Sequence, residues 1–456
     1  MNEPKSPHSE KQESKFNTHK VLQLTIEKLV YGGDGLARLP ADEHGRGKAV
    51  FVPFVLAGER VEAAVVEEKP GFARASADEI LEASPQRIEP RCPYFQRCGG
   101  CHYQHASYEH QLESKAAVLK ENLRRIAKLE LDKELKLHPS PAWHYRNRTR
   151  LKVQTEPEFA LGYYKFNSHE LLPVEECPIS SPLINRAIAA FWELGSTGRV
   201  GNGIQEVEFF ANEDDTQLLI EAYCASEIRK DTAEQWAREV QGALPRVAGV
   251  AMIRAHRASV AFQGATDPER IALSGAAELT YKTEQASYRV SAGAFFQVNR
   301  HLIDQLVNVI AAGRSGHTAL DLYAGVGLFS AVLSRGFAQV IAVESSPTSY
   351  ADLLYNSPPN VKAVRATVEQ YLKNVAGKLP PDLVVVDPPR SGLGEGIVQA
   401  LVTLEAPRVT YVSCDPATLS RDLGRLLQSA YRVEEAHLVD LFPQTYHLES
   451  VFHLAR

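Results

Sequence analysis

At 456 residues the chain exceeds what one hydrophobic core usually holds, so a small single-core module is excluded and several domains are expected. Its 50 basic and 56 acidic side chains leave a formal charge of -6, so there is no global basic footprint, and a nucleic-acid partner would have to be met by a local patch. Residues 1–19 lack the apolar stretch of a secretory signal, and no later run has the length of apolar residues that spans a bilayer; a cytoplasmic protein without a membrane partner is expected, in which six cysteines point to metal or catalysis before disulfides.

After a polar tail at 1–19, expected to be disordered, residues 20–83 show short alternating runs at 22–26, 49–52 and 61–65, broken by Gly32-Gly33-Asp34-Gly35 and Ala57-Gly58. That pattern predicts a small all-β barrel, and it resembles a TRAM domain, an OB-like RNA-binding module. Residues 84–104 form a cysteine-rich turn with Cys92, Cys98, Gly99, Gly100 and Cys101, which a distant Cys177 can join. Four soft thiolates suit zinc or an iron–sulfur cluster, and ligand count does not separate them. The spacing differs from the Cys-x3-Cys-x2-Cys of radical enzymes, and Cys224, inside an apolar strand-like run, is expected to be core.

Leu112, Val118, Leu119, Leu123 and Ile126 fall near helical spacing and predict an amphipathic helix over 106–130. Strand-like stretches at 207–210, 217–223 and 250–262 make 84–288 a mixed α+β middle domain. Within it, Arg146, Arg148, Arg150 and Lys152 recur with a period of two beside Trp143 and Tyr145, which puts four cations on one strand face. Such a row suits phosphates and an unstacked base, so single-stranded or loop RNA is the expected partner.

From 289 to 456 strand and helix patterns alternate as in a doubly wound parallel sheet. Residues 318–330 read as strand, glycine turn and helix start, with Asp321, Gly325 and Gly327, and a second strand ends at Glu344. An acid there can accept hydrogen bonds from both ribose hydroxyls of a nucleoside cofactor. A dinucleotide site is disfavoured, because Ser330 stands where its third glycine belongs. The order Asp-x-x-x-Gly-x-Gly followed by Glu resembles class I S-adenosylmethionine-dependent methyltransferases. Asp387-Pro388-Pro389 follows an apolar strand, but Arg390 stands where enzymes of amino nitrogens carry a stacking aromatic. Another acceptor is therefore expected.

Cys414 ends a buried-strand run, 409–412, and precedes a helical pattern, which points its thiol into the crevice where α/β sheets bind ligands. Glu449 sits on an apparent alternating strand with His447, Val451 and His453. One thiol and one proton acceptor are what methylation at uracil carbon 5 requires: a thiolate adds to carbon 6, carbon 5 attacks the methyl donor, and a base removes the carbon 5 proton as the thiol leaves. Glu449 is preferred as base, with His447 the alternative.

Together, Phe295-Phe296-Gln297-Val298-Asn299, Asp321-Leu-Tyr-Ala-Gly-Val-Gly327, Asp387-Pro-Pro-Arg-Ser-Gly392, Ser413-Cys-Asp-Pro-Ala-Thr418 and Thr445-x-His-x-Glu449 resemble the RNA uracil-5 methyltransferases that make 5-methyluridine in 23S ribosomal RNA and transfer RNA. The resemblance runs from about residue 20 to the end. It implies Cys414 as nucleophile, Glu449 as base, contacts of Gln297, Tyr323, Glu344 and Asp387 with S-adenosylmethionine, and a [4Fe-4S] cluster on Cys92, Cys98, Cys101 and Cys177. It further implies action on RNA, with 23S ribosomal RNA placed ahead of transfer RNA; the oligomeric state is not legible in the sequence, and a monomer is the default expectation. A silent RNA-binding iron–sulfur protein is disfavoured, because both Cys414 and Glu449 are retained. Family members usually carry Cys at Ala324 and Asn or Asp at Thr367, and some carry a polar residue at Leu328, so one cofactor contact is expected to differ here.

Overall fold

The computed structural model describes residues 21–40, 47–225, 228–244, 246–254, 269–375 and 380–456. The expected tail at 1–19 and the part of the expected strand beyond Arg254 lie outside the described residues. Two compact units result, one of residues up to Val30 plus Asp34–Pro85, the other of Tyr31–Gly33 plus Gln86–Arg456. Among the described residues no helix is long and apolar enough to cross a membrane.

The smaller unit is a six-stranded sheet in the order Val21–Thr25, Arg60–Glu68, Phe72–Glu82, Ala49–Val52, Gly35–Arg38, Lys28–Leu29. Alternation decides its core: Leu24, Val50, Val52, Val61, Ala63, Ala73 and Ala75 point inward, while their neighbours face outward. Gly35 is required by crowding, since a Cβ there would lie 2.4 Å from Val55 Cγ2. A buried carboxylate, Glu59, closes the unit by accepting the backbone N–H groups of Leu56 at 2.8 Å and Ser84 at 3.2 Å.

The larger unit holds two large sheets. Seven strands run in the order Leu171–Pro173, Ala160–Tyr164, Arg148–Gln154, Ile204–Ala211, Leu218–Cys224, Val247–Arg254, Arg270–Gly275. Phe209 and Ile220 face the helices Pro182–Ser196 and Lys230–Ala243. Phe210, Leu219 and Ala251, on the opposite face, join a core that continues through Tyr281, Leu306 and Ala319 into the second large sheet. That shared core is why 86–456 behaves as one compact unit rather than dividing near 289. Cys224 is fully buried and its thiol donates to the Ile253 carbonyl at 3.3 Å, as expected of a core residue.

The second sheet has eight strands: Val361–Arg365, Phe337–Glu344, Gly316–Leu322, Leu383–Val386, Arg408–Ser413, Glu449–Ala455, Arg432–Val439 and Leu135–His138. Neighbours are parallel except Glu449–Ala455, which is antiparallel to both of its partners. The chain reverses its direction of travel across the sheet at Gly316–Leu322, and the crevice of such a fold opens at the carboxyl ends there.

The helix expected over 106–130 is shorter than its apolar spacing suggests. It spans Tyr108–Asn122 and ends in a wide turn at Leu123–Ala127, where Asn122 Nδ2 donates to the Val118 carbonyl at 2.8 Å and Lys128 adopts a left-handed cap.

Candidate functional site

Three adjacent strands deliver chemistry to one edge of the eight-stranded sheet. Leu383–Val386 runs out into Asp387, and Arg408–Ser413, parallel to it, runs out into Cys414. Glu449–Ala455 is antiparallel and pairs Ser450 with Ser413, so its first residue, Glu449, emerges at the edge where its neighbour's last residue does. One antiparallel strand thus places a carboxylate beside a thiol that a parallel strand could not.

Local sequence fixes Cys414 from both sides. Before it, the Ser413 carbonyl accepts the Ser450 hydroxyl at 3.1 Å. After it, Asp415 caps the helix Pro416–Leu427, accepting the N–H groups of Ala417 at 3.0 Å and Thr418 at 2.8 Å, with Pro416 in the first turn. The Cys414 carbonyl accepts the Tyr31 hydroxyl at 3.2 Å, and Tyr31 stands edge-on to Tyr446. Thr418 Oγ1 donates to the Arg390 carbonyl at 3.1 Å, which ties the Asp387-Pro-Pro-Arg390 loop to the same helix.

The electrostatics of this edge oppose ionisation. Burial, then the charges of Glu449 and Asp387, push the Cys414 thiol up to about 12, against a smaller lowering from Arg390. Burial pushes Asp387 up to about 7, and burial followed by the Asp387 charge raises Glu449. His447 is pushed down to about 3 by burial and then by Arg390, whose Nη2 lies 3.5 Å from both ring nitrogens. Contrary to the alternation read in the sequence, His447 shares no strand face with Glu449, because the strand begins at Glu449. Thr445 Oγ1 accepts the His447 N–H at 3.2 Å in a local turn and holds that backbone out of the ladder.

Beside these groups lies the glycine turn. Tyr323, Gly325 and Gly327 have φ of +66°, +55° and +92°. A Cβ at Gly327 would lie 2.9 Å from Leu353, whereas one at Gly325 would meet nothing within 4 Å, leaving room for a ligand to approach the backbone. Glu344 accepts Gly325 N–H at 2.9 Å and Ser346 N–H at 2.6 Å, one on each oxygen, so lone pairs remain for ribose hydroxyls. Burial drives Asp321 up to about 7; Ser330 donates to one of its oxygens and the other has no partner among the described residues. Gln297 is buried on a segment sewn down by Asn147 N–H to the Val298 carbonyl at 3.0 Å and by Asn299 Nδ2 to the Leu441 carbonyl at 3.1 Å. Thr367 exchanges hydrogen bonds with Gln370, at 3.2 and 3.1 Å, as the capping residue of the following helix. Ala324 and Leu328 are buried among apolar neighbours.

Away from this crevice, Cys92, Cys98, Cys101 and Cys177 line one cavity of about 80 Å³, with Arg146, Tyr163 and Gln104 among its walls. Gly100 N–H donates to Cys98 Sγ at 3.4 Å, and Asn185 holds Cys177 on both sides, accepting its N–H at 2.9 Å and donating to its carbonyl at 3.0 Å. Among the described residues no three Cys, His, Asp or Glu close on a single point that could hold one metal ion. The four thiols frame a space rather than a closed cage. His102 and Tyr103, directly after Cys101, both donate their N–H to the Gln444 carbonyl at 2.9 Å, which links this turn to the loop leading to Glu449.

The basic row differs from its expectation. Arg148 is ion-paired with Glu208 and, at 3.0 Å, with Glu221; Arg150 meets Glu208 at 2.7 Å, and Lys152 meets Glu206. These acids lie on the neighbouring strands Ile204–Ala211 and Leu218–Cys224, whose register sets Glu206 opposite Lys152 and Glu208 opposite Arg150. Arg148, Arg150 and Lys152 are therefore cations neutralised by their neighbours, not a free phosphate-binding stripe. Arg146 precedes the strand, held by isolated bridges to Ser180 and Asn299. Sequence reading gave no role to Tyr31 or to the link through His102; both reach the site through contacts hundreds of residues apart in the chain, which leave no local signal.

Residues 107–456 match the tRNA (Uracil-5-)-methyltransferase family, and residues 15–77 match the TRAM domain. An uncharacterized RNA methyltransferase of Aquifex aeolicus is 34% identical over 446 residues, 95% of this chain and 98% of its own. One from Streptomyces avermitilis is 32% identical over 461 residues, 94% and 96% of the two chains. The structure of Pyrococcus abyssi tRNA (uracil-54, C5)-methyltransferase in complex with S-adenosyl-L-homocysteine has a similar fold, with a TM-score of 0.72 at 23% identity, covering 95% of this chain and 100% of that one.

Proposed function

Because the chain belongs to the tRNA (uracil-5-)-methyltransferase family, we propose that it transfers the methyl group of S-adenosylmethionine to carbon 5 of a uridine in RNA. The observation that carries this reading is the convergence of Asp387, Cys414 and Glu449 on three adjacent strand ends beside the glycine turn. Gly325, Tyr323, Glu344 and Gln297 seat the methyl donor, with Asp387 facing its reactive end. Seating a sulfonium cation there offsets the carboxylate charges that hold the Cys414 thiol protonated, so the nucleophile is released only when the donor is in place.

Cys414 Sγ then adds to carbon 6 of a uridine turned out of its stack, and carbon 5 takes the methyl group, with S-adenosylhomocysteine as leaving product. Glu449, ionised, removes the carbon 5 proton; the electron pair re-forms the 5,6 double bond and expels the thiolate. His447 is a poor candidate for this step, because an imidazole pushed down to about 3 has little affinity for a proton. Release of tritium from RNA carrying 5-tritiated uridine tests the reading. Donor-dependent release is expected, and none from any RNA despite proven binding of S-adenosylhomocysteine would overturn it.

We take 23S ribosomal RNA as substrate, since a TRAM domain together with the four-cysteine set resembles the ribosomal enzymes. Transfer RNA is the competing substrate, and the same assay on unmodified ribosomal and transfer RNA decides between them. We assign a [4Fe-4S] cluster to Cys92, Cys98, Cys101 and Cys177, whose thiols share one cavity and receive a backbone N–H at Cys98. Bound there, the cluster supplies a rigid four-point anchor. The chain's own residues carry that anchor onward, through His102 and Tyr103, to the loop before Glu449. Visible absorption with iron and sulfide analysis tests the assignment; a colourless protein holding one zinc would overturn it.

A further inference from the structure

The basic row contains its own control. Arg148, Arg150 and Lys152 each meet a carboxylate, whereas Arg146, in the same row of the sequence, meets none among the described residues. Its Nε is buried without any hydrogen-bond partner, and its side chain forms part of the wall of the four-cysteine cavity. Arg146 is half-buried with its Nε sealed from water, a costly setting for a cation without a counter-charge. The backbone leaves this side chain little choice of place: Arg146 N–H donates to the Ile179 carbonyl at 2.9 Å, and its carbonyl accepts the Ser181 N–H at 2.8 Å, just beyond Cys177.

We propose that Arg146 is the counter-cation of the four-thiolate site, positioning and charge-balancing its occupant, and not a ligand of RNA phosphate. The inference rests on the cluster assignment above for the identity of the occupant, but only on thiolate charge for the role of Arg146. Four thiolates around a [4Fe-4S] core, or around zinc, leave a net negative charge, which is the counter-charge the half-buried Arg146 lacks among the described residues. Reduction of the cluster adds further negative charge, so a neighbouring cation favours the reduced form. Tyr145 anchors the same backbone segment, its hydroxyl donating to the Pro443 carbonyl at 3.0 Å.

The test compares full-length holoprotein with Arg146→Met, Arg146→Gln and Arg146→Lys. The neutral variants should lose iron to a chelator several-fold faster than wild type and show a cluster midpoint potential shifted to more negative values, and the Lys variant should restore both. Wild-type iron retention and potential in Arg146→Met, together with weaker RNA binding and a salt dependence reduced by about one phosphate contact, would overturn the proposal. Should the neutral variants not fold, the yield of holoprotein decides: rescue by Lys supports the charge role, and no rescue overturns it. If wild type holds one zinc and no sulfide, the cluster assignment fails separately, and the rate of zinc loss from Arg146→Met against wild type then reads the same role.

Discussion

Two regions of this molecule gather functional thiols, and the charges beside them differ. Cys414 stands among Glu449, Asp387 and Asp415, with Arg390 the opposing cation, and its proton is held tightly. The four cysteines of the other cavity stand among mostly apolar walls, with Arg146 the cation and Glu176 the acid that line it. In the roles proposed above, a thiol that adds to a base and leaves again benefits from being inert until its substrates arrive, whereas thiols that would hold a permanent occupant benefit from a fixed cation. Burial is the largest cause that raises the thiols of both regions, Cys414 as well as Cys92, Cys98 and Cys101, so what separates the two is the charge beside them.

The largest effect that can break this comparison is Cys414→Ala, which should abolish tritium release while leaving S-adenosylhomocysteine binding, read by calorimetry, unchanged. Glu449→Gln should slow turnover by roughly 10²–10⁴-fold. It should also accumulate an RNA–protein adduct stable to denaturing electrophoresis, because addition proceeds and proton removal does not. Normal turnover in the Glu449→Gln variant would move the base elsewhere. Cys177→Ala, in the second thiol region, should remove the visible absorption and lower kcat through the loop before Glu449, with the methyl-donor affinity little changed. Equal loss of donor affinity would mean that the two regions are not separate in role.

How much of this contrast the sequence displays depends on the range of the interactions involved. The glycine turn, Glu344, the Cys414 strand end and its Asp415-Pro416 cap are legible because each depends on a few consecutive residues. The Arg148, Arg150 and Lys152 row was legible as a strand face, but its partners lie more than fifty residues later, and only strand register brings Glu206 and Glu208 opposite them. A period of two in one strand says which side a cation takes, not what waits there. His447 misled for a related reason: the alternation through Thr445, His447 and Glu449 looks like strand, yet the Thr445 hydroxyl captures the His447 N–H first.

A smaller effect sharpens the neutralised row. Arg148→Met leaves Glu208 and Glu221 buried with one fewer partner, and should cost about 3–5 kcal/mol in urea unfolding. RNA affinity per folded molecule should change less than twofold; a large specific loss of RNA binding would restore the free basic stripe. The smallest effect concerns pH. The folded-state value of Asp321 is raised to about 7, above its unfolded value, so the native state binds the extra proton between the two. Its contribution to stability is therefore fully present below the unfolded value and declines as pH rises through about 7. Asp321→Asn should flatten the fall in unfolding free energy between pH 5 and 7, by about 1.4 kcal/mol per pH unit. A variant with the wild-type pH slope would remove Asp321 from that account.

The same ion-paired row has a further consequence for how variants of this protein are interpreted. Arg148 also donates to the Ala294 carbonyl, and Glu221 accepts the Gly293 N–H at 2.9 Å, so the row grips the segment that delivers Gln297 to the crevice. An alanine scan of its arginines that scores only methylated product would label them substrate-binding residues. The primary defect of an Arg148 variant should instead be a raised KM for the methyl donor, because that side chain holds the segment carrying Gln297, which we propose lines the donor's site.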